Sequence, residues 1–177
     1  MSAALALPYV TEAEFLALPE SQEHRELLDG EIVLMPSPLP IHQNLVGFFY
    51  RRICHWADGH PPVYVGLSPL DIRLGPDRIL QPDLCVFLAG CPGDGHRLIT
   101  GVPDLVVEVM SERRGYDRLT KRLVYAEAGV QEYWIVDPFA RTVEVVYGLR
   151  TDRVETERLS SDLLPGLDID LRQVWPV

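Results

Sequence analysis

The sequence predicts a single α/β domain in which helices cover a mixed β-sheet. Short valine-rich apolar runs alternate with two longer segments whose apolar residues recur at helical spacing. The length of 177 residues is typical of one domain. The 47% hydrophobic and 24% charged residues are those of an ordinary globular protein. We therefore expect residues 1–177 to form one domain.

The first elements are a helix and a β-hairpin. Thr11 followed by Glu14 is a capping box, which predicts a short helix. Asp29-Gly30 lies between two apolar runs and predicts a hairpin, because both central positions of such a turn need positive φ. The predicted hairpin strands are Arg25–Leu28 and Glu31–Met35.

The middle of the chain predicts one long helix and three strands. Apolar residues recur at helical spacing from Ile41 to Trp56, as expected of an amphipathic helix that covers a sheet. The predicted strands that follow are Val63–Leu67, Leu70–Leu74 and Ile79–Leu88. Glycine and proline predict a loop over residues 89–101.

A strand and helix at the centre of the chain carry most of the chemistry. The run Leu105–Met110 is apolar except for Glu108, which predicts a strand buried on both faces. A helix is expected from about Tyr116 to Ala128, with Gly129 as its stop signal. The remaining predicted elements are strands Gln131–Val136 and Arg141–Tyr147, a loop at 163–167 and a short final element.

Composition disfavours several classes of protein. No apolar segment approaches the roughly 20 residues that span a bilayer, so we expect no membrane partner. The first residues lack the basic start and long apolar core of a secretory signal, and we expect a cytoplasmic protein. The net charge of −10 counts against nucleic acid as a partner. Residues 113–122, however, hold five basic side chains against one acid, either a phosphate-binding patch or an ordinary solvated helix face.

Two carboxylates interrupt predicted apolar strands. Asp83 lies within Ile79–Leu88 and Glu108 within Leu105–Met110. Two buried carboxylates on adjacent strands repel one another unless a cation lies between them. Mg²⁺ suits such a site, because it takes one or two protein carboxylates and keeps its other positions for water and phosphate. The sequence therefore predicts a Mg²⁺-dependent phosphodiesterase, with Mn²⁺ as a substitute ion.

Lys121 is the single lysine in a chain with 15 arginines. Its compact ammonium suits contact with a scissile phosphate or an attacking water. The strand carries the chain about 10 Å beyond Glu108 at ~3.3 Å per residue. If the helix runs back over the sheet, it covers about 7.5 Å up to Lys121 at ~1.5 Å per residue. Lys121 would then lie near Glu108 along the direction of the strand. The alternative is a surface ion pair with Asp117, one turn earlier.

Other side chains are candidates for supporting roles, each with a structural alternative. His42 opens a helix and could orient water or substrate. Glu31 or Glu26 could add a carboxylate, although alternating exposure on a hairpin explains both. Ser111 more simply caps a turn than acts as a nucleophile, since no His/Asp partnership surrounds it. Tyr125 lies one turn after the lysine and could support it.

The chain resembles the Uma-type restriction endonucleases of the PD-(D/E)xK nuclease superfamily. The resemblance rests on Gln81-Pro82-Asp83, Glu108-Val109-Met110-Ser111, Asp117-Arg118-Leu119-Thr120-Lys121, the run from Gly129 to Pro138, and shorter matches at Asp29-Gly30-Glu31, His42-Gln43 and Leu164-Pro165-Gly166-Leu167. It implies a restriction-endonuclease-like core, DNA as substrate, and Asp83 and Glu108 as metal ligands. One departure is Met110, which stands where the superfamily has its lysine. In this family that role passes to the following helix, which fits Lys121.

Two alternatives remain open. Met110 and the acidic net charge are compatible with a nuclease-derived DNA-binding module without catalysis. The aromatic residues of the chain could instead form an oligomer interface, with the carboxylates having no special role. We expect a homo-oligomer, most simply a dimer. The residues of that interface would be Phe48, Phe49, Trp56, Tyr133 and Trp134.

Overall fold

The computed structural model describes residues 9–19, 23–93, 97–111 and 114–175, with the backbone alone described over 114–118. In these parts of the chain the strands form a six-stranded sheet, a five-stranded sheet and a two-stranded ribbon. The elements are α1 (Glu12–Leu16), β1 (His24–Leu28), β2 (Glu31–Met35), α2 (Pro40–Ala57), β3 (Tyr64–Leu67), β4 (Asp71–Gly75), β5 (Arg78–Leu80), β6 (Leu84–Phe87), β7 (Leu98–Ile99), β8 (Leu105–Val109), α3 (Arg114–Ala128), β9 (Glu132–Asp137), β10 (Thr142–Tyr147), β11 (Arg150–Glu155), β12 (Arg158–Ser160), β13 (Asp168–Asp170) and a final 3-10 helix (Leu171–Gln173).

The six-stranded sheet is mixed, which confirms the predicted fold class. Its strand order is β11-β10-β9-β8-β6-β3. Strands β8 and β9 are parallel, whereas their other neighbours in this sheet pair antiparallel. Parallel neighbours need a crossover connection, and α3 provides it. The five-stranded sheet has the order β2-β1-β5-β4-β7.

The six-stranded sheet is covered on both faces, so its central strand β8 is apolar throughout except at Glu108. Helix α2 and the C-terminal segment pack on one face, where Phe49 and Val107 belong to the same core cluster. Helix α3 and the five-stranded sheet pack on the other face, where Val106 and Tyr125 meet. Alternate residues of β8 therefore point to opposite cores.

The proposed aromatic interface is wrong, because these side chains fill the protein's own cores. Phe49 and Trp134 are 0% exposed, Tyr133 4% and Phe48 9%. Trp56 is partly buried and donates its indole N–H to the carbonyl oxygen of Pro165. An oligomer, if formed, must use other residues.

Local signals placed the hairpin and the end of α3 correctly. Asp29 and Gly30 have φ of +49° and +83°, as the turn requires. Gly129 follows α3 with φ of +93°. The N–H of Val130 donates to the carbonyl of Tyr125 over 3.0 Å, the bond that closes a Schellman motif.

The predicted strand Ile79–Leu88 is wrong as one element. It is two strands, β5 and β6, which belong to different sheets. Gln81-Pro82-Asp83 separates them, because proline has no N–H to donate to a sheet. Asp83 therefore precedes β6 instead of lying inside a strand.

The structure also has strands in one segment that was expected to be a loop and in C-terminal segments for which no strand was predicted. Residues 89–101 contain β7, which pairs in parallel with β4. The C-terminal segment forms β11, β12 and β13, which the sequence analysis had not assigned. None of the helices in the described segments has both the length and the hydropathy needed to cross a bilayer.

Candidate active site

A cleft of about 540 Å³ opens where β8 ends. The start of α2, the Gln81–Asp83 segment, the end of β8 and one side chain of α3 line its inner part. Asp83, Glu108 and Lys121 all face this cleft. The structure thus brings together side chains from three separate segments of the chain.

Lys121 makes a buried ion pair with two carboxylates. Its Nζ lies 3.0 Å from Glu108 Oε1 and 3.1 Å from Glu26 Oε1. Lys121 is 5% exposed, so it is not the surface residue that the alternative ion pair required. Burial acts to lower the pKa of Lys121, but the charges of Glu108 and Glu26 outweigh it and hold that pKa well above its ordinary value. The two carboxylates therefore favour the protonated ammonium.

Glu108 is held by two donors on one oxygen. Tyr125 donates its hydroxyl to Oε1 over 2.6 Å, beside the bond from Lys121. Burial raises the pKa of Glu108 to about 8 against the lowering effect of Lys121, and the charges of Asp83 and Glu26 add to the rise. Burial, and after it the charge of Glu108, raises the pKa of Tyr125 well above its ordinary value. Tyr125 thus stays a donor.

Asp83 is fixed by β8 and by α2. Its Oδ2 accepts the backbone N–H of Val109 over 2.8 Å and lies 3.2 Å from His42 Nε2. Burial acts to lower the pKa of His42, but the hydrogen bond and charge of Asp83 outweigh it and raise this pKa above its ordinary value. Among the described residues, the buried Nδ1 of His42 has no hydrogen-bond partner.

The donor set fits a hard divalent cation such as Mg²⁺. Lys121 pairs with Glu26 and Glu108, and burial, together with the charges of Asp83 and Glu26, raises the pKa of Glu108. Within the described parts of the chain, no three His, Cys, Asp or Glu side chains form a complete ligand set. Mg²⁺ needs one or two protein carboxylates, and Asp83 and Glu108 both face the cleft.

The remaining candidates fall into different positions. Ser111 and Met110 line the cleft. Glu31 is exposed at the start of β2 and does not line the cleft. The side chain of Asp117 lies outside the described residues.

Glu26 is a further carboxylate at Lys121, for which the sequence allows either a role in the site or an ordinary position on the hairpin. It is 3% exposed, and its Oε1 also accepts the N–H of Gln81 over 2.9 Å. It lies behind Lys121, outside the cleft lining. No local pattern reveals this, because β1 is flanked by β2 and β5 and its last three residues are all buried.

Comparisons with known proteins agree with this architecture. A crystal structure described as a putative nuclease belonging to DUF820, from Anabaena variabilis, superposes with a TM-score of 0.81. The two share 23% identity over 94% of this chain and 97% of the other, a likeness that shows the fold. No curated protein matches the sequence. The family model Uma2, described as "Putative restriction endonuclease", matches residues 12–172. The chain therefore belongs to the Uma2 family of restriction-endonuclease-like proteins.

Proposed function

We propose that this protein is an endonuclease that hydrolyses DNA phosphodiester bonds with Mg²⁺ bound by Asp83 and Glu108, Mn²⁺ serving as a substitute. One observation carries the proposal. Asp83 and Glu108, two carboxylates from separate segments of the chain, face one open cleft together with Lys121 in a protein of the Uma2 family. When bound, the ion supplies charge neutralisation at phosphorus and a more acidic water.

The protein's own groups have separable tasks. Lys121 presents a fixed positive charge to a phosphate oxygen or to the attacking water. The charges of Glu108 and Glu26 raise its pKa against the effect of burial, which suits the ammonium to donate hydrogen bonds and to stabilise negative charge. Glu26 positions this ammonium, since it accepts from Nζ and from the backbone of Gln81. Tyr125 and His42 orient Glu108 and Asp83 by hydrogen bonds.

The test is cleavage of supercoiled plasmid and of labelled oligonucleotides, with Mg²⁺, with Mn²⁺ and with EDTA. We expect ion-dependent cleavage. Asp83→Asn, Glu108→Gln and Lys121→Met should each reduce it on the order of 10²–10³-fold, the usual effect of removing one electrostatic contact to the transition state. Calorimetry of Mg²⁺ binding should show weaker binding for the two carboxylate variants.

Glu132→Gln is the matched control. Glu132 is also a fully buried carboxylate, on the neighbouring strand β9, but its partners are Trp134, Ser161 and Tyr147, away from the cleft. This variant should keep cleavage activity if it remains folded, as circular dichroism will show. Salt-sensitive DNA binding without cleavage under either ion would instead establish the alternative, a binding module. The homodimer stays a prediction from the sequence.

A further inference from the structure

The cleft has an apolar part that the proposed hydrolysis does not use. It is formed by residues at the ends of five elements, namely Met35, Leu39, Leu67, Met110 and Phe139. We name these five residues the apolar wall. Leu39, Leu67 and Phe139 are 45%, 44% and 48% exposed although they are large and apolar. Solvent-facing apolar side chains beside a polar site are typical of ligand binding.

We propose that the apolar wall receives an unpaired nucleobase next to the bond that is cut, so that the substrate is single-stranded or locally unpaired nucleic acid. The inference rests on the proposed nuclease function and names its substrate class. A base is the flat, mostly apolar part of a nucleotide, and it is covalently joined to the phosphate that the carboxylate end of the cleft would hold.

The charges of the cleft favour one strand over a duplex. Among its described lining residues, Lys121 is the sole lysine or arginine, and Glu26 and Glu108 already pair with its ammonium. The chain as a whole carries a net charge of −10. Binding to a duplex depends on several lysines and arginines that neutralise phosphates on both strands. Binding by these described residues would draw more on the bases, whose faces are free in an unpaired strand.

The size of the cleft and the rigidity of its rim also favour the binding of an unpaired base. A volume of about 540 Å³ lies within the ~300–1,000 Å³ of pockets that hold one small ligand, as one nucleotide would be. Asp137 accepts the backbone N–H groups of Phe139 and Ala140 over 2.8 and 2.9 Å, which fixes the turn that presents the Phe139 ring. Aromatic rings held in this way stack on bases of any sequence.

The experiment measures binding by fluorescence anisotropy with Ca²⁺ in place of Mg²⁺. The probes are a labelled single-stranded DNA 12-mer, the same strand with abasic sugars, and the blunt duplex. We expect the single strand to bind at least about 10-fold tighter than either of the others. Phe139→Ala should weaken its binding about 5- to 100-fold, the usual effect of losing one stacked base. Phe139→Trp should retain it.

Leu149→Ala is the control, since Leu149 is 62% exposed and does not line the cleft. Its affinity for the single strand should be unchanged. Equal affinity for the duplex or the abasic strand, or unchanged binding by Phe139→Ala, would overturn the inference. Cleavage with Mg²⁺ separates the two proposals. Cleavage restricted to duplex DNA would support the proposed nuclease function and overturn the proposal of an unpaired substrate. Base-dependent binding of the single strand without any cleavage would support the base-binding role of the apolar wall and overturn the nuclease function.

Discussion

Removal of the Lys121 ammonium should destabilise the fold as well as the chemistry. Lys121→Met keeps a chain of similar length but leaves Glu26 and Glu108 without their shared cation. The side chains of all three residues are 12% exposed or less, so solvent screens them little. Breaking a buried ion pair by removing one partner costs about 3–5 kcal/mol, whereas a surface pair contributes about 0–1 kcal/mol. We therefore expect Lys121→Met to lower the free energy of unfolding by about 3–5 kcal/mol.

The assay is urea unfolding in EDTA, followed by the fluorescence of the three tryptophans, of which Trp134 is 0% exposed. A typical stability of about 5–15 kcal/mol leaves enough folded protein to measure such a loss. The double variant Glu26→Gln/Lys121→Met should recover part of it, because one of the two unpaired charges is gone.

Arg158→Met is the matched surface control. Arg158 and Asp168 form an ion pair whose side chains are 59% and 51% exposed. Its loss should cost below about 1 kcal/mol. If Lys121→Met costs no more than this control, the ammonium is not part of a buried ion pair and the reasoning on the site fails.

Three further substitutions test contacts around the site and the core. Tyr125→Phe removes the donor to Glu108 and should cost about 1–3 kcal/mol in urea unfolding. Gly129→Ala should cost about 1–2 kcal/mol, because φ is +93° and no steric clash adds to the backbone strain; an unchanged midpoint would contradict the helix end. Ser161→Ala leaves Glu132 without one donor and should lower the thermal midpoint by several degrees, about 1–3 kcal/mol.

The sequence predicts best where structure depends on adjacent residues. The Asp29-Gly30 turn and the end of α3 at Gly129 follow from the backbone preferences of two or three residues. The level of Lys121 relative to Glu108 follows from the rise per residue of a strand and a helix, and their atoms lie 3.0 Å apart. The turn and the helix end need no knowledge of the rest of the fold, whereas the position of Lys121 also requires that the helix folds back along the strand.

The features that the sequence did not predict depend on distant partners. Glu26 and Glu31 look equivalent on a hairpin, yet β5 covers β1 and makes Glu26 internal while Glu31 stays exposed. The apolar runs on both sides of Pro82 read as one strand, although they join different sheets. Strands β12 and β13 pair across seven residues of irregular chain, so neither has a strong signal alone.

Met110 and Lys121 line the same cleft from different backbone elements. The fold thus offers two anchoring points, one on β8 and one on α3, from which a long side chain can deliver a positive charge to the same place. In this chain the position two residues after Glu108 is Met110, so a search that requires a lysine at that position would overlook the ammonium that α3 brings to the cleft.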